Sequence, residues 1–185
     1  MSNLTADKSA HHVMEQSYDR PFGVSLLAII LMIGGLTTLV TQIMAWKSFN
    51  DASAIFGVSS PLFQGAVAFL GLLGCTAAIG MWIGRSWGWW LALFYFAYAV
   101  CRNINMILSI SSLADMFIES GQETGSYYLK YSVRVLWNGL LLYYLCRGEM
   151  VLSYLRTERT NKWKALGIVF GISIIPFVVG AFIID

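Results

Sequence analysis

Five apolar stretches limit what this 185-residue chain can become. They run Phe22–Trp46, Leu62–Ile83, Trp87–Ile110, Tyr128–Cys146 and Ala165–Ile184. A helix needs about 20 mostly apolar residues to cross a hydrocarbon layer about 30 Å thick. Inside lipid every backbone N–H and C=O must find its partner within the chain, which selects helices for segments of this kind. Hydrophobic residues make up 57% of the chain and charged residues 12%, about half the share usual in soluble domains. So little charge cannot cover a soluble core, and lipid must serve as the solvent. The mean hydropathy of +0.65 agrees. The expected fold is an all-α, polytopic helical membrane bundle with five transmembrane helices, a four-helix core plus a C-terminal helix. Residues 1–20 form a polar cytoplasmic tail, 21–147 the core, 148–164 a basic cytoplasmic link and 165–185 the fifth span. Pro21 and Pro61 stand at helix starts, where a missing N–H costs nothing. Pro176 falls inside the fifth span and should kink it.

Charge sets the orientation. Lys8, Arg20, Arg85, Arg147, Arg156, Arg159, Lys162 and Lys164 fall on one side of a five-span arrangement. Lys47, Arg102, Lys130 and Arg134 fall on or near the other. The positive-inside rule then puts the N-terminus in the cytoplasm and the C-terminus outside. The polar start of the chain does not read as a cleaved secretory signal. Trp82, Trp87, Trp89, Trp90 and Trp163 cluster at the inner interface. Arg85 with Trp87, Trp89 and Trp90 reads as a cation-and-indole anchor at headgroup level. The inner link combines Val151, Leu152 and Leu155 with basic residues, which suggests a helix lying on the anionic inner leaflet. In the outer link, Leu113, Met116 and Phe117 have the spacing of a short surface helix.

Two spans carry polar insertions. Arg102 lies about 22 Å along the third helix, and Arg134 about 9 Å into the fourth, at 1.5 Å per residue. Both therefore sit in the outer half of the bilayer. Asn103 and Asn105 accompany the first arginine, and Asn138 stands one turn below the second. Thr37, Thr38, Thr41, Gln42 and Gln64 fall at the same level. A midplane arginine costs at least about 2.5 kcal/mol, less where the side chain can reach water. Two readings follow. The arginines snorkel outward or pair with Asp115, Glu119 or Glu123, or they line a basic pocket for an anion or a lipid headgroup.

Several function classes lack support. The net charge of +2, without a basic tract interleaved with aromatics, does not suggest nucleic acid. Cys75, Cys101 and Cys146 stand singly, so neither a zinc site nor a thiol redox pair is expected, and all three read as small buried hydrophobes. His11 and His12 are an adjacent pair in the polar tail and read as solvated. No metalloprotease, nucleophile-elbow or P-loop motif occurs. No cofactor or metal is expected. Glycine pairs at Gly34–Gly35, Gly80–Gly84 and Gly167–Gly171 would let helices approach closely inside the bundle.

Three stretches, RPFGVSLLAIILMIGG, GMWIGRSWGWWLALF and WNGLLLYYLCRGEMVLSYL, occur in that order over about residues 20–155. Together the chain resembles a loosely defined family of small, uncharacterised prokaryotic multi-pass membrane proteins with a four-helix core. That family has an Arg-Pro-x-Gly opening, a Gly-Arg-x-Trp-x-Trp-Trp link and a Tyr-Tyr-Leu ending. The resemblance implies a prokaryotic cytoplasmic (inner) membrane, and it carries over no activity and no functional residue. Arg147-Gly148-Glu149 stands where the family has a proline, and the fifth span lies beyond the family core. Residues and resemblance together lead to a non-enzymatic accessory, assembly or lipid-organising membrane component. The alternative is a small transporter or anion-binding protein that uses the basic outer layer. The bilayer itself, an anionic lipid, a larger membrane complex and a second copy are the expected partners.

Overall fold

The computed structural model of the chain describes residues 20–47, 60–112 and 124–184. The regular structure in these residues is α-helical throughout. The helices are α1 (Phe22–Met44), α2 (Ser60–Ile83), α3 (Ser86–Ser112), α4 (Thr124–Arg147), α5 (Glu149–Tyr154) and α6 (Lys162–Ile184). The polar tail with His11 and His12 lies outside the described residues. So do the outer surface helix expected at Leu113, Met116 and Phe117, and the carboxylates Asp115, Glu119 and Glu123. Among the described residues three helices are long and apolar enough to cross a membrane: Phe22–Met44, Gln64–Ile83 and Ser86–Ile110. α4 has the length, but Lys130, Arg134 and Asn138 interrupt its apolar run. α6 is 23 residues long, and its described side chains end at Val178.

The helices begin and end where local chemistry directs them. α1 starts after Pro21, whose carbonyl accepts from Val24 N at 2.9 Å. α2 turns into α3 through two residues. Gly84 has φ +75°, a left-handed conformation that glycine adopts without steric cost. Arg85 N donates to Gly80 O at 3.0 Å, and Gly84 N to Met81 O at 3.2 Å. This is the paired closure of a Schellman motif. The same closure ends α5, where Thr157 N reaches Leu152 O at 2.9 Å and Arg156 N reaches Ser153 O at 3.1 Å. There the left-handed residue is Arg156, at φ 55°. α6 continues through Pro176 as a single helix, which leaves one carbonyl of the preceding turn without its usual donor.

α3 lies at the centre. α1 packs closely on α2, α2 packs on α3, and α4 and α6 each pack on α3. Its buried face presents Trp89, Ala92, Leu93, Phe96, Ala97 and Val100. Small residues allow the closest approaches. Gly35 of α1 faces the Gly71 carbonyl and the Cys75 backbone of α2, leaving no room for a Cβ. Gly80 and Gly88 meet backbone to backbone where α2 crosses α3. Gly84 forms the turn and packs under the Tyr154 ring, so it does not share a close helix crossing with Gly80 as the expected Gly80–Gly84 pair would. Gly167 and Gly171 also depart from expectation. Both are exposed, and a Cβ at either would meet open space.

A second departure concerns the inner link. Val151, Leu152 and Leu155 are buried in the same core cluster as Trp89 and Leu145. α5 therefore plugs the end of the bundle where α2 turns into α3, with its apolar face against protein. A six-residue helix gains more from filling that gap than from a shallow lipid contact, because its apolar side chains meet closely packed atoms on several sides.

Candidate functional site

The outer polar layer is built differently from its appearance in sequence. Gln42 of α1 and Gln64 of α2 are both buried. Gln42 Nε2 donates to the Gln64 backbone carbonyl at 2.7 Å and to Gln64 Oε1 at 3.1 Å. Gln64 Nε2 donates to the Trp46 carbonyl at 3.2 Å. These bonds satisfy buried amides and fix the outer ends of α1 and α2 to each other.

The asparagines stay on their own helices. Asn103 is buried, and its Nδ2 donates to the Ala99 carbonyl at 2.6 Å. Asn138 Nδ2 donates to the Arg134 carbonyl at 2.7 Å, one turn back on α4. Asn105 is exposed, and its carbonyl accepts from Ser109 Oγ at 2.9 Å. Thr38 and Thr76 bond back to Gly34 and Leu72 in the same manner. Ser173 is the exception, with its Oγ buried and without a partner among the described residues.

Both arginines are exposed. The Arg134 guanidinium lies 5.7 Å from the Tyr131 ring centroid, one turn away on α4. Trp89 Nε1 donates to the Leu145 carbonyl at 3.1 Å, which fixes the register between α3 and α4. Equal rises from that contact along two antiparallel helices bring Arg102 level with Arg134 to within about 3 Å. The two cations thus lie nearly level on adjacent helices, and neither lines the cavity between α4 and α6.

The inner anchor also divides. Arg85 is exposed, and Trp87 is 41% exposed. Trp90 is half-buried and meets Trp89 edge to face, with centroids 5.3 Å apart. Trp89 is fully buried and clamps α3 to α4 through its N–H, so it is a core residue and no interfacial anchor. An indole left in the core needs an acceptor for its N–H, and Leu145 O supplies it. A second inner cluster joins Arg20, Trp82 and Tyr154. The Arg20 guanidinium lies 4.1 Å from the Trp82 ring centroid. Tyr154 Oη donates to the Trp82 carbonyl at 3.1 Å, and its ring lies against Gly84. Sequence reasoning missed this cluster, because nothing in the spacing of residues 20, 82 and 154 announces it.

A cavity of about 950 Å³, lined by described residues, lies between α4 and α6 with Val100 of α3 at its floor. Its walls are Val135, Leu136, Leu140, Leu142, Leu166 and Phe170, and its inner end holds Tyr143, Arg147, Lys162 and Trp163. Arg147 donates to the Tyr143 hydroxyl. Glu149 and Glu158 share a smaller neighbouring cavity with Lys162. No three His, Cys, Asp or Glu side chains gather into a metal-sized group among the described residues. Compared with protein-family models, curated proteins and solved structures, the chain matches none.

Proposed function

We propose that this protein is a non-catalytic integral membrane protein, an accessory, assembly or lipid-organising component of a prokaryotic inner membrane. In this reading α1, α2, α3, α4 and α6 all span the bilayer, with the N-terminus inside and the C-terminus outside. The three long apolar helices supply the frame. α4 becomes a fourth span because Lys130 and Arg134 lie near its outer end and can snorkel. The four-plus-one arrangement fits the resemblance to small membrane proteins with a four-helix core.

One observation carries the non-catalytic reading. Most of the polar side chains within these helices, Ser173 and the two arginines apart, are taken up in bonds between helices or to their own helix. Gln42, Gln64 and Trp89 tie helices to one another, and Thr38, Thr76, Asn103, Ser109 and Asn138 bond to carbonyls of their own helices. A catalytic group needs a partner that tunes it and space for a substrate beside it. Two measurements test the proposal. A reporter fused after Asp185 should be active only outside the cytoplasm; activity inside removes the fifth span or inverts the arrangement. Native mass spectrometry of the gently solubilised protein should show retained lipid or a defined larger complex.

The second reading, a small transporter or anion-binding protein, rests on Arg102 and Arg134 lying level on adjacent helices. Arg102→Leu and Arg134→Leu decide it. Normal insertion and assembly with unchanged lipid retention sets this reading aside, and loss of a bound anion supports it.

A further inference from the structure

We infer that the cavity between α4 and α6 is a binding site for one anionic glycerophospholipid of the inner leaflet, with Arg147 and Lys162 receiving its phosphate. The inference rests on the membrane-spanning, lipid-organising reading and gives it a location.

The cavity has the length of one leaflet. Its α4 wall runs from Val135 to Arg147, a rise of about 18 Å, which spans half a hydrocarbon layer and reaches headgroup level. Half of a hydrocarbon layer about 30 Å thick is about 15 Å. The volume of about 950 Å³ falls near the top of the range, about 300–1,000 Å³, of sites that take organic ligands. It is open to the side, since Leu136 is 68% exposed and Leu140 61%. An acyl chain can enter from the bilayer and need not pass through the protein.

Polarity runs one way along the cavity. Its far end is apolar, and its inner end carries the two cations beside the Tyr143 hydroxyl and Trp163, which is 84% exposed. Indole and phenol rings settle at headgroup level, so this end marks the interface. Among the described residues neither cation forms an ion pair. Glu149 and Glu158 near Lys162 are the opposing charges, and they line the adjacent small cavity, not this one. Cationic charge at an apolar cavity's interfacial end complements an anionic headgroup on an acyl chain. Basic pockets between helices on the cytoplasmic side bind such headgroups.

Gly139 provides a way to close the cavity without touching its charges. It is half-buried in the α4 wall, and a Cβ there would meet nothing within 4 Å. Gly139→Phe therefore places a ring in free space. The test is native mass spectrometry of the full-length protein in mild detergent, with added phosphatidylglycerol or phosphatidylcholine. Wild type should retain one phosphatidylglycerol at least fivefold more readily than phosphatidylcholine. Arg147→Gln with Lys162→Gln should bring the two lipids to parity, and Gly139→Phe should lower retention of both. Equal retention by wild type overturns the proposal, as does a preference that survives both variants. Displacement by millimolar inorganic phosphate alone would make it a free-anion site. A dimer that excludes lipid would assign the cavity to a second copy. Either result also overturns the proposal. The Asp185 reporter is run on the same proteins. Expected topology with no headgroup preference rejects the lipid site alone, and an intracellular reporter signal rejects the five-span reading beneath it.

Discussion

α1 and α2 form one kind of helix contact, and α4 with α6 forms another. The first pair is joined at backbone distance, with Gly35 against Gly71 and Cys75, and is fastened at its outer end by the Gln42–Gln64 amides. The second pair is held apart by a cavity, and each member rests on α3. Glycine is present in both regions, so composition does not explain the contrast. In α1 and α2 Gly34, Gly35, Gly71, Gly74 and Gly80 face a neighbouring helix, and Gly65 alone of the α2 glycines meets open space. Gly139, Gly167 and Gly171 face free space. Close packing comes from small residues aimed at another backbone, where dispersion contacts accumulate; the same residues aimed elsewhere leave room for lipid.

The largest expected effect comes from the residue that joins the open side to the core. Trp89→Ala removes a fully buried indole and its bond to Leu145 O, and should cost about 3–5 kcal/mol. Unfolding in mixed micelles followed by circular dichroism measures it. A cost below about 1 kcal/mol would mean that α4 does not depend on this clamp.

Gly35→Leu comes next. Its side chain must enter the Gly71 carbonyl and Cys75 backbone, which cannot rotate away, and overpacking of this kind costs about 1–3 kcal/mol. Thermal aggregation in detergent should show an earlier onset. Tolerance of the larger residue would break the contrast at its strongest point.

Gln42→Leu removes the side-chain donor between α1 and α2 and should cost about 0.6 kcal/mol, with an upper bound near 1.7. Pairing it with Gln64→Leu in a double-mutant cycle isolates the coupling. Simple additivity would show that the amides share depth without sharing energy.

The smallest effect belongs to Gly139→Leu, the counterpart of Gly35→Leu on the open side. With free space around it, the substitution should leave stability unchanged or raise it by up to about 1 kcal/mol through helix propensity. Marked destabilisation would place α4 closer to α6 than the cavity allows.

Parts of this molecule were legible residue by residue. Phe22–Trp46 and Leu62–Ile83 announced helices in lipid, and the structure places α1 and α2 over nearly those ranges. Gln42 and Gln64 were assigned a common level, and they bond across it. Trp89, grouped with Trp87 and Trp90 as an anchor, turned inward. In a segment of four aromatic or small residues, no hydropathy pattern separates the one that enters the core. Val151, Leu152 and Leu155 looked amphipathic, and that pattern is equally consistent with a leaflet or a bundle end as the apolar surface they meet.

By itself the sequence determined that long apolar helices form and where they lie along the chain. These depend on how many apolar atoms a segment carries and how far it can reach, properties that each segment holds alone. The tertiary structure alone decided which glycines touch a backbone, which tryptophan is buried and where α4 and α6 leave a cavity. A helix that is apolar on all sides carries no stripe to mark its inner face. Which face turns inward is set by the shapes it meets on neighbouring helices far away in the chain.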